Sequence, residues 1–187
     1  MLLDAAMVLV RAEGLDGLTM PGLARAADVA VGGLYRYFES KETLILALQV
    51  RAAETFVEFL EGRLAGPPLG RVRSIATSWP AFADEDPEAW ALLDASLSDP
   101  RELLPEAGAR AVADTLAPAF QATREALAAA AEAGDLAAGD AHLRARVVWG
   151  AVHGVLHLRK LDRLDPEEAG VEEALREVVE ALLRGWR

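Results

Sequence analysis

Apolar side chains recur every three or four residues along almost the whole chain, the spacing of helices that each bury one face. Leu3, Ala6, Met7 and Val10 begin the pattern and predict a first helix from about Leu2 to Glu13, closed by Gly14. A short second helix is expected after Thr19, a good N-cap residue, with Pro21 tolerated in its first turn. Asp28-Val29-Ala30 predicts a tight turn into a third short helix, about Val31 to Tyr37, and Ser40 caps a long one from Lys41 to about Leu64. The run Gly-Pro-Pro-Leu-Gly at 66–70 ends that helix. Further helices are expected at about 70–84, 87–97, 101–132, 141–161 and 166–185, with Pro105 and Pro118 as candidate breaks in the third of these. Asp86-Pro87-Glu88 and Asp165-Pro166-Glu167-Glu168 mark two helix starts, each with an N-cap aspartate, proline at N1 and acid in the first turn. No stretch alternates with the period of a strand. The expected class is all-α with about nine helices.

The first three helices are short and unequal, with a three-residue turn between the second and third, which describes a helix-turn-helix. Leu18, Leu23, Ala27, Val29 and Leu34 are spaced to form its small core, and Ala24 lets the two short helices cross closely. The expected division is a helix-turn-helix domain at 1–46 and a helical bundle at 47–187. In the first, the third helix would enter a DNA major groove while the second crosses the backbone.

Charge narrows the choice of partner. The net charge of −11 argues against coating nucleic acid or anionic membrane non-specifically. Residues 1–51 hold five basic and six acidic side chains, net −1, and residues 52–187 hold 14 and 24, net −10. An anionic partner is therefore expected at the N-terminal quarter. There is no cysteine, so there is neither a disulfide framework nor a thiolate metal site. The N-terminus has no basic n-region and carries Asp4 within its apolar part, unlike a secretory signal, and no apolar run is long enough to span a bilayer. The cytoplasm is the expected location. Asparagine is absent, glutamine occurs only at 49 and 121, and arginine outnumbers lysine 17 to 2. These choices suit a protein from a hot environment, and a GC-rich genome gives the same arginine and alanine bias.

The stretch "TMPGLARAADVAVGGLYRYFESKETLILAL", residues 19–48, resembles the tetracycline-repressor family of bacterial regulators. The match rests on L-Y-x-Y-F-x-S-K-E at fixed spacing, preceded by A-x-x-A-x-V, and covers about residues 2–48. "VVWGAVHGVLHL" at 147–158 is similar to a W-x-x-x-H-G helix found in some C-terminal domains of the family. The resemblance implies a homodimeric, ligand-responsive transcription factor, usually a repressor, on double-stranded DNA with a palindromic operator. It also implies that Tyr35, Lys41 and Thr19 contact phosphates and that Arg36 reaches the backbone. Gly32 and Gly33 match positions of close helix–DNA approach. The N–H groups beside Ser40 and Lys41 add an anion site. Arg25 is either a phosphate contact or a solvated surface residue. Leu34, Tyr37 and Phe38 are expected to anchor the segment inward.

Several positions depart from the family pattern. Ala30 and Val31 stand where Ser-Lys is frequent, and Asp28 replaces the usual glycine. The chain opens at Met1-Leu2, where many relatives carry a basic arm. Fewer cations imply weaker, less salt-dependent DNA binding, with Val31 placed to touch a thymine methyl.

In the bundle, Gly150 and Gly154 permit close helix approach, and Trp149, His153 and His157 form a neighbouring stripe. Val171, Leu175, Val178 and Leu182, extended by Leu183 and Trp186, line one face of the last helix. Two such helices from each of two chains would build a four-helix interface, and a purely monomeric core is the alternative. Trp79, Phe82, Trp90, Phe120 and Trp149, with His153, are candidates for an apolar effector pocket, against plain core packing. The His153-x-x-x-His157 pair has no third ligand beside it, so no metal and no cofactor are expected. No nucleophile-elbow, P-loop, dinucleotide or zinc-protease motif occurs, which argues against an enzyme. A helical adaptor with degenerate DNA binding is the remaining rival.

Overall fold

The computed structural model describes residues 1–98, 106–162 and 170–187. Among these the chain forms helices and no strand: α1 (Leu2–Gly17), α2 (Met20–Ala26), α3 (Val31–Leu34), α4 (Lys41–Glu61), α5 (Pro68–Glu85), α6 (Pro87–Ser98), α7 (Glu106–Glu132), α8 (Ala141–Asp162) and α9 (Val171–Gly185). The all-α expectation holds. The expected start near 101, the break at Pro105 and the Asp165 cap lie outside the described residues. Packing divides the chain into two compact units, Met1–Phe56 with Asp86–Leu116, and Val57–Glu85 with Ala117–Arg187.

The first unit is organised by local caps. α1 runs past Glu13, but Gly14 kinks it at φ +71°, a conformation that glycine adopts without a Cβ penalty. Thr19 caps α2, its Oγ1 accepting from the Gly22 N–H at 3.1 Å. Asp28 takes φ +53° at the turn, and the Val29 N–H closes back on the Ala24 carbonyl at 2.9 Å. Aspartate is among the few side chains that tolerate this region, which explains how it substitutes for the family's glycine. Ser40 and Thr43 cap α4 reciprocally: Thr43 N–H donates to Ser40 Oγ at 3.3 Å and Ser40 N–H to Thr43 Oγ1 at 3.0 Å. Asp86 caps α6 through the Ala89 N–H at 3.0 Å. Leu18, Leu23, Ala24 and Leu34 are buried between α1, α2 and α3, while Ala27 and Val29 are half-buried. Arg11 of α1 forks onto Glu88 of α6, Nε to Oε1 at 2.8 Å and Nη2 to Oε2 at 3.0 Å, and these bonds hold the Glu88 carboxyl below its ordinary value.

Two expectations need correction here. The third helix is four residues long and does not reach Tyr37. Beyond Leu34 the Arg36 and Tyr37 N–H groups bond three residues back, to Gly33 and Leu34, which tightens the chain out of α-helical spacing. Tyr37 is therefore rotated off the buried face and is 69% exposed, while Phe38 is half-buried.

The second unit stacks α5, α8 and α9. The faces that close it are Val72, Ile75, Ala76 and Trp79 on α5, Ala145, Val148, Val152 and Leu156 on α8, and Leu175, Val179 and Leu183 on α9. Leucine- and valine-sized side chains buried this completely contribute about 1.5–3 kcal/mol each. α7 continues unbroken through Pro118. Asp140 caps α8, its Oδ1 accepting from the His142 and Leu143 N–H groups at 2.9 and 3.1 Å. Arg73 forks onto Glu180 between α5 and α9 through Nε and, at 3.1 Å, through Nη2; the same bonds push the Glu180 carboxyl down and the Arg73 guanidinium up.

Candidate functional site

The outward surface of α3 and the turn after it is built by one inward residue. Leu34 is the buried side chain of α3, Gly33 beside it is half-buried, and the helix of four residues pinned at its last position turns Val31 and Gly32 toward solvent. Val31 is 39% exposed, Tyr35 is 47% exposed, and Gly32 and Arg36 are also exposed. A Cβ added at Gly32 or Gly33 would meet nothing within 4 Å, so no contact within the chain demands glycine there. What glycine supplies is a bare backbone on the outer side of the helix. Thr19 and Arg25 are exposed on α2. Lys41, half-buried at the start of α4, reaches the Asp16 carbonyl with its Nζ at 3.5 Å.

Leu2, Val29, Ala30, Gly33, Leu34, Arg36 and Tyr37 line a cleft of about 290 Å³ beside this surface. Tyr37 thus joins Tyr35 and Arg36 as a hydroxyl-bearing outward group. Helical spacing from Leu34 hid it, because position i+3 reads as core wherever the helix continues.

The aromatic candidates fall into two places. Trp79 is fully buried, with its ring centroid 5.1 Å from Trp149 and 4.5 Å from His153. Phe120 lies edge-on to Trp149 at 5.5 Å and to His142 at 5.2 Å. Trp149 donates through Nε1 to Thr123 Oγ1 at 2.9 Å, the Thr123 hydroxyl donates to the Ala119 carbonyl at 3.0 Å, and His153 Nδ1 pairs with the Trp149 carbonyl at 2.9 Å. Phe82 is buried against Phe59 at 5.4 Å. Trp90, half-buried on α6, belongs to the other unit. Thr123 escaped the sequence reading because its partner is 26 residues away.

The candidate interface residues divide by face. On α8, Leu143, Val147, Gly150, Gly154, His157 and Leu158 are all exposed, along one helical stripe. On α9, Leu175 is buried within the unit, while Val171, Val178, Leu182 and Trp186 are half-buried. Arg144 covers the Trp186 ring at 5.2 Å. Among the described residues no three His, Cys, Asp or Glu side chains stand together to hold a metal, and no helix is long and apolar enough to cross a membrane.

Residues 2–48 match the family model of bacterial regulatory proteins, tetR family, and residues 72–182 match that of a tetracyclin repressor-like C-terminal domain. The HTH-type transcriptional repressor KstR of Rhodococcus jostii (strain RHA1) is 34% identical over 86 residues, 46% of this chain and 41% of the relative. The chain therefore spans less than half the length of the curated relatives it matches. Among solved structures, a protein of unknown function from Rhodococcus sp. RHA1 is 26% identical with a TM-score of 0.81, covering 99% of this chain and 93% of that one. The regulator FadR from Bacillus subtilis, solved in complex with stearoyl-CoA, is 16% identical with a TM-score of 0.75, covering 100% and 98%, which is a likeness of fold.

Proposed function

Because the chain belongs to the tetR family of bacterial regulatory proteins, we propose that it is a homodimeric, ligand-responsive transcriptional repressor that binds a palindromic operator. Residues 1–46 would form the DNA-binding domain and 47–187 the effector and dimer domain, in the cytoplasm. The observation that carries this reading is the outward surface held up by Leu34. Val31, Gly32, Tyr35, Arg36 and Tyr37 all face solvent there, with Thr19 and Arg25 exposed on the helix before it. Hydroxyls, guanidinium groups and bare backbone amides are the groups that hold phosphates, and a small apolar side chain such as Val31 reads a thymine methyl.

The dimer is supported by the exposed stripe on α8. Leu143 is 57% exposed and Leu158 54%, and the two glycines between them let a partner helix approach closely. A second copy of α8 and α9 would cover it around a two-fold axis, which a palindromic site requires. For the effector, the fold neighbour FadR holds stearoyl-CoA, and we take an acyl thioester of coenzyme A as the class. The net −10 of residues 52–187 disfavours the polyanionic end of such a molecule, so the neutral acyl and pantetheine parts would supply the binding. Effector and operator would then weaken each other by linkage.

The adaptor reading is favoured by one feature, the net −1 of residues 1–51. Val31→Lys distinguishes the two readings. On a DNA-reading helix the added cation, present twice in the dimer, should raise operator affinity and steepen the slope of log affinity against log salt by about 1.8. Mobility-shift titrations at several salt concentrations check this. An unchanged slope would count against α3 as the reading helix.

A further inference from the structure

α5 and α9 pack together within the second unit and leave a groove of about 370 Å³ between them. Its floor is Ala76 of α5 with Leu175 and Val179 of α9, all buried apolar side chains. Arg73, Thr77, Arg176 and Glu180 stand round it. The volume lies near the lower end of the range for small-molecule sites, roughly 300–1,000 Å³. Charge in the wall is uneven. Glu180 takes both bonds of the Arg73 fork, which hold its carboxyl low, so the pair stays ionised and cancels. Thr77 gives its hydroxyl proton to carbonyls of its own helix, Arg73 at 3.1 Å and Ser74 at 3.2 Å. Arg176 is exposed and makes no hydrogen bond or ion pair among the described residues. The lining of the groove is therefore left with one positive charge, although residues 52–187 are net −10.

We propose that this groove binds a small amphipathic monocarboxylate, its apolar body on Ala76, Leu175 and Val179 and its carboxylate on the Arg176 guanidinium. The planar fork of arginine matches a carboxylate through two parallel bonds. The apolar floor supplies most of the affinity, and the charge sets the choice of ligand. A cation would find only Glu180, already held by Arg73. Past Arg176 the neighbouring hollow is lined by Asp84, Glu172 and Glu173, which repel a second negative group at that end. A single charge is therefore selected. The volume is too small for a whole acyl-CoA, so this site is separate from the effector reading above and does not depend on it. Ala174 and Val178, each two residues before Arg176 and Glu180, lie about 200° away round α9. Filling the groove thus leaves free the half-buried edge of α9 available to a second copy.

The probes are 4-phenylbutyrate, 4-phenylbutan-1-ol and 4-phenylbutylamine, which share one body and differ in the charge of the head group. Each is titrated into the full chain with its alanine, leucine and valine methyl groups isotopically labelled, and binding is followed by NMR. The carboxylate should shift the Ala76, Leu175 and Val179 methyls and show nuclear Overhauser contacts to them. It should bind about tenfold tighter than the alcohol, with the amine weakest. Arg176→Gln should weaken the carboxylate about tenfold and leave the alcohol unchanged, the loss of one charge-assisted contact. Thr77→Trp sets a ring at the edge of the groove and should weaken carboxylate and alcohol alike. Both positions are exposed, so circular dichroism of the two variants should match that of the unmodified chain. Equal affinity for carboxylate and alcohol, or tighter binding of the amine, would overturn the assignment of charge. Contacts from the carboxylate to other methyls alone would overturn the location. No binding at millimolar concentration would overturn the site itself.

Discussion

Gly150→Arg is expected to leave the protomer folded, to separate the proposed dimer and to lower operator affinity at least 100-fold at a fixed protein concentration. Gly150 is exposed on α8, and a Cβ built there meets nothing within 4 Å, so an arginine extends into solvent when the chain is alone. Replacing glycine inside a helix also favours the helical state by up to about 1 kcal/mol. The single chain therefore has no reason to lose stability. In a two-fold interface the same residue enters twice, and two guanidinium groups meet where the backbones need to touch. Loss of the partner removes half of the operator contacts and the fixed half-site spacing. Analytical ultracentrifugation together with circular dichroism checks it: a monomer that keeps its helical content is the expected pair. A stable dimer carrying Gly150→Arg would move the interface away from α8.

Leu34→Ala acts on the first unit. A fully buried leucine truncated to alanine costs about 2–5 kcal/mol, a large share of the 5–15 kcal/mol that holds a typical domain together. α3 has four residues and one buried side chain, so nothing else on the helix compensates. The expected result is loss of operator binding and a lower Tm for the first unit, with the dimer retained, since α8 and α9 belong to the second. Tyr37→Ala is the matched control. Its ring is mostly solvent-exposed, so its melting temperature should stay within the small range of surface substitutions. Equal destabilisation by the two changes would return Tyr37 to the core and contradict the tight turn after Leu34.

Local signals were legible and long-range ones were not. Thr19, Ser40 and Asp86 cap the helices they precede because a cap depends on three or four neighbouring residues. Asp28 at φ +53° is the same kind of signal, a short polar side chain where a glycine is usual. The inward placement of Tyr37 failed because periodicity presumes that the helix continues, and two glycines shorten α3 to one turn. On α9 the apolar stripe is wide enough to include both Leu175, which is buried, and Val178 and Leu182, which are half-buried. The pattern alone does not say which edge faces inward. Thr123 with Trp149, Arg11 with Glu88 and Arg73 with Glu180 join residues far apart in the chain.

The most direct test of the central claim is a fluorescence-anisotropy titration of the unmodified chain. The DNA upstream of its own gene is compared with a shuffled sequence of equal length and composition, at physiological salt. A sequence-specific dimeric reader is expected to prefer the upstream DNA by about 10³-fold or more, with two protomers per duplex. Equal affinity for the two sequences, persisting when the salt is lowered, would contradict it and leave a helical protein that kept the module without reading DNA.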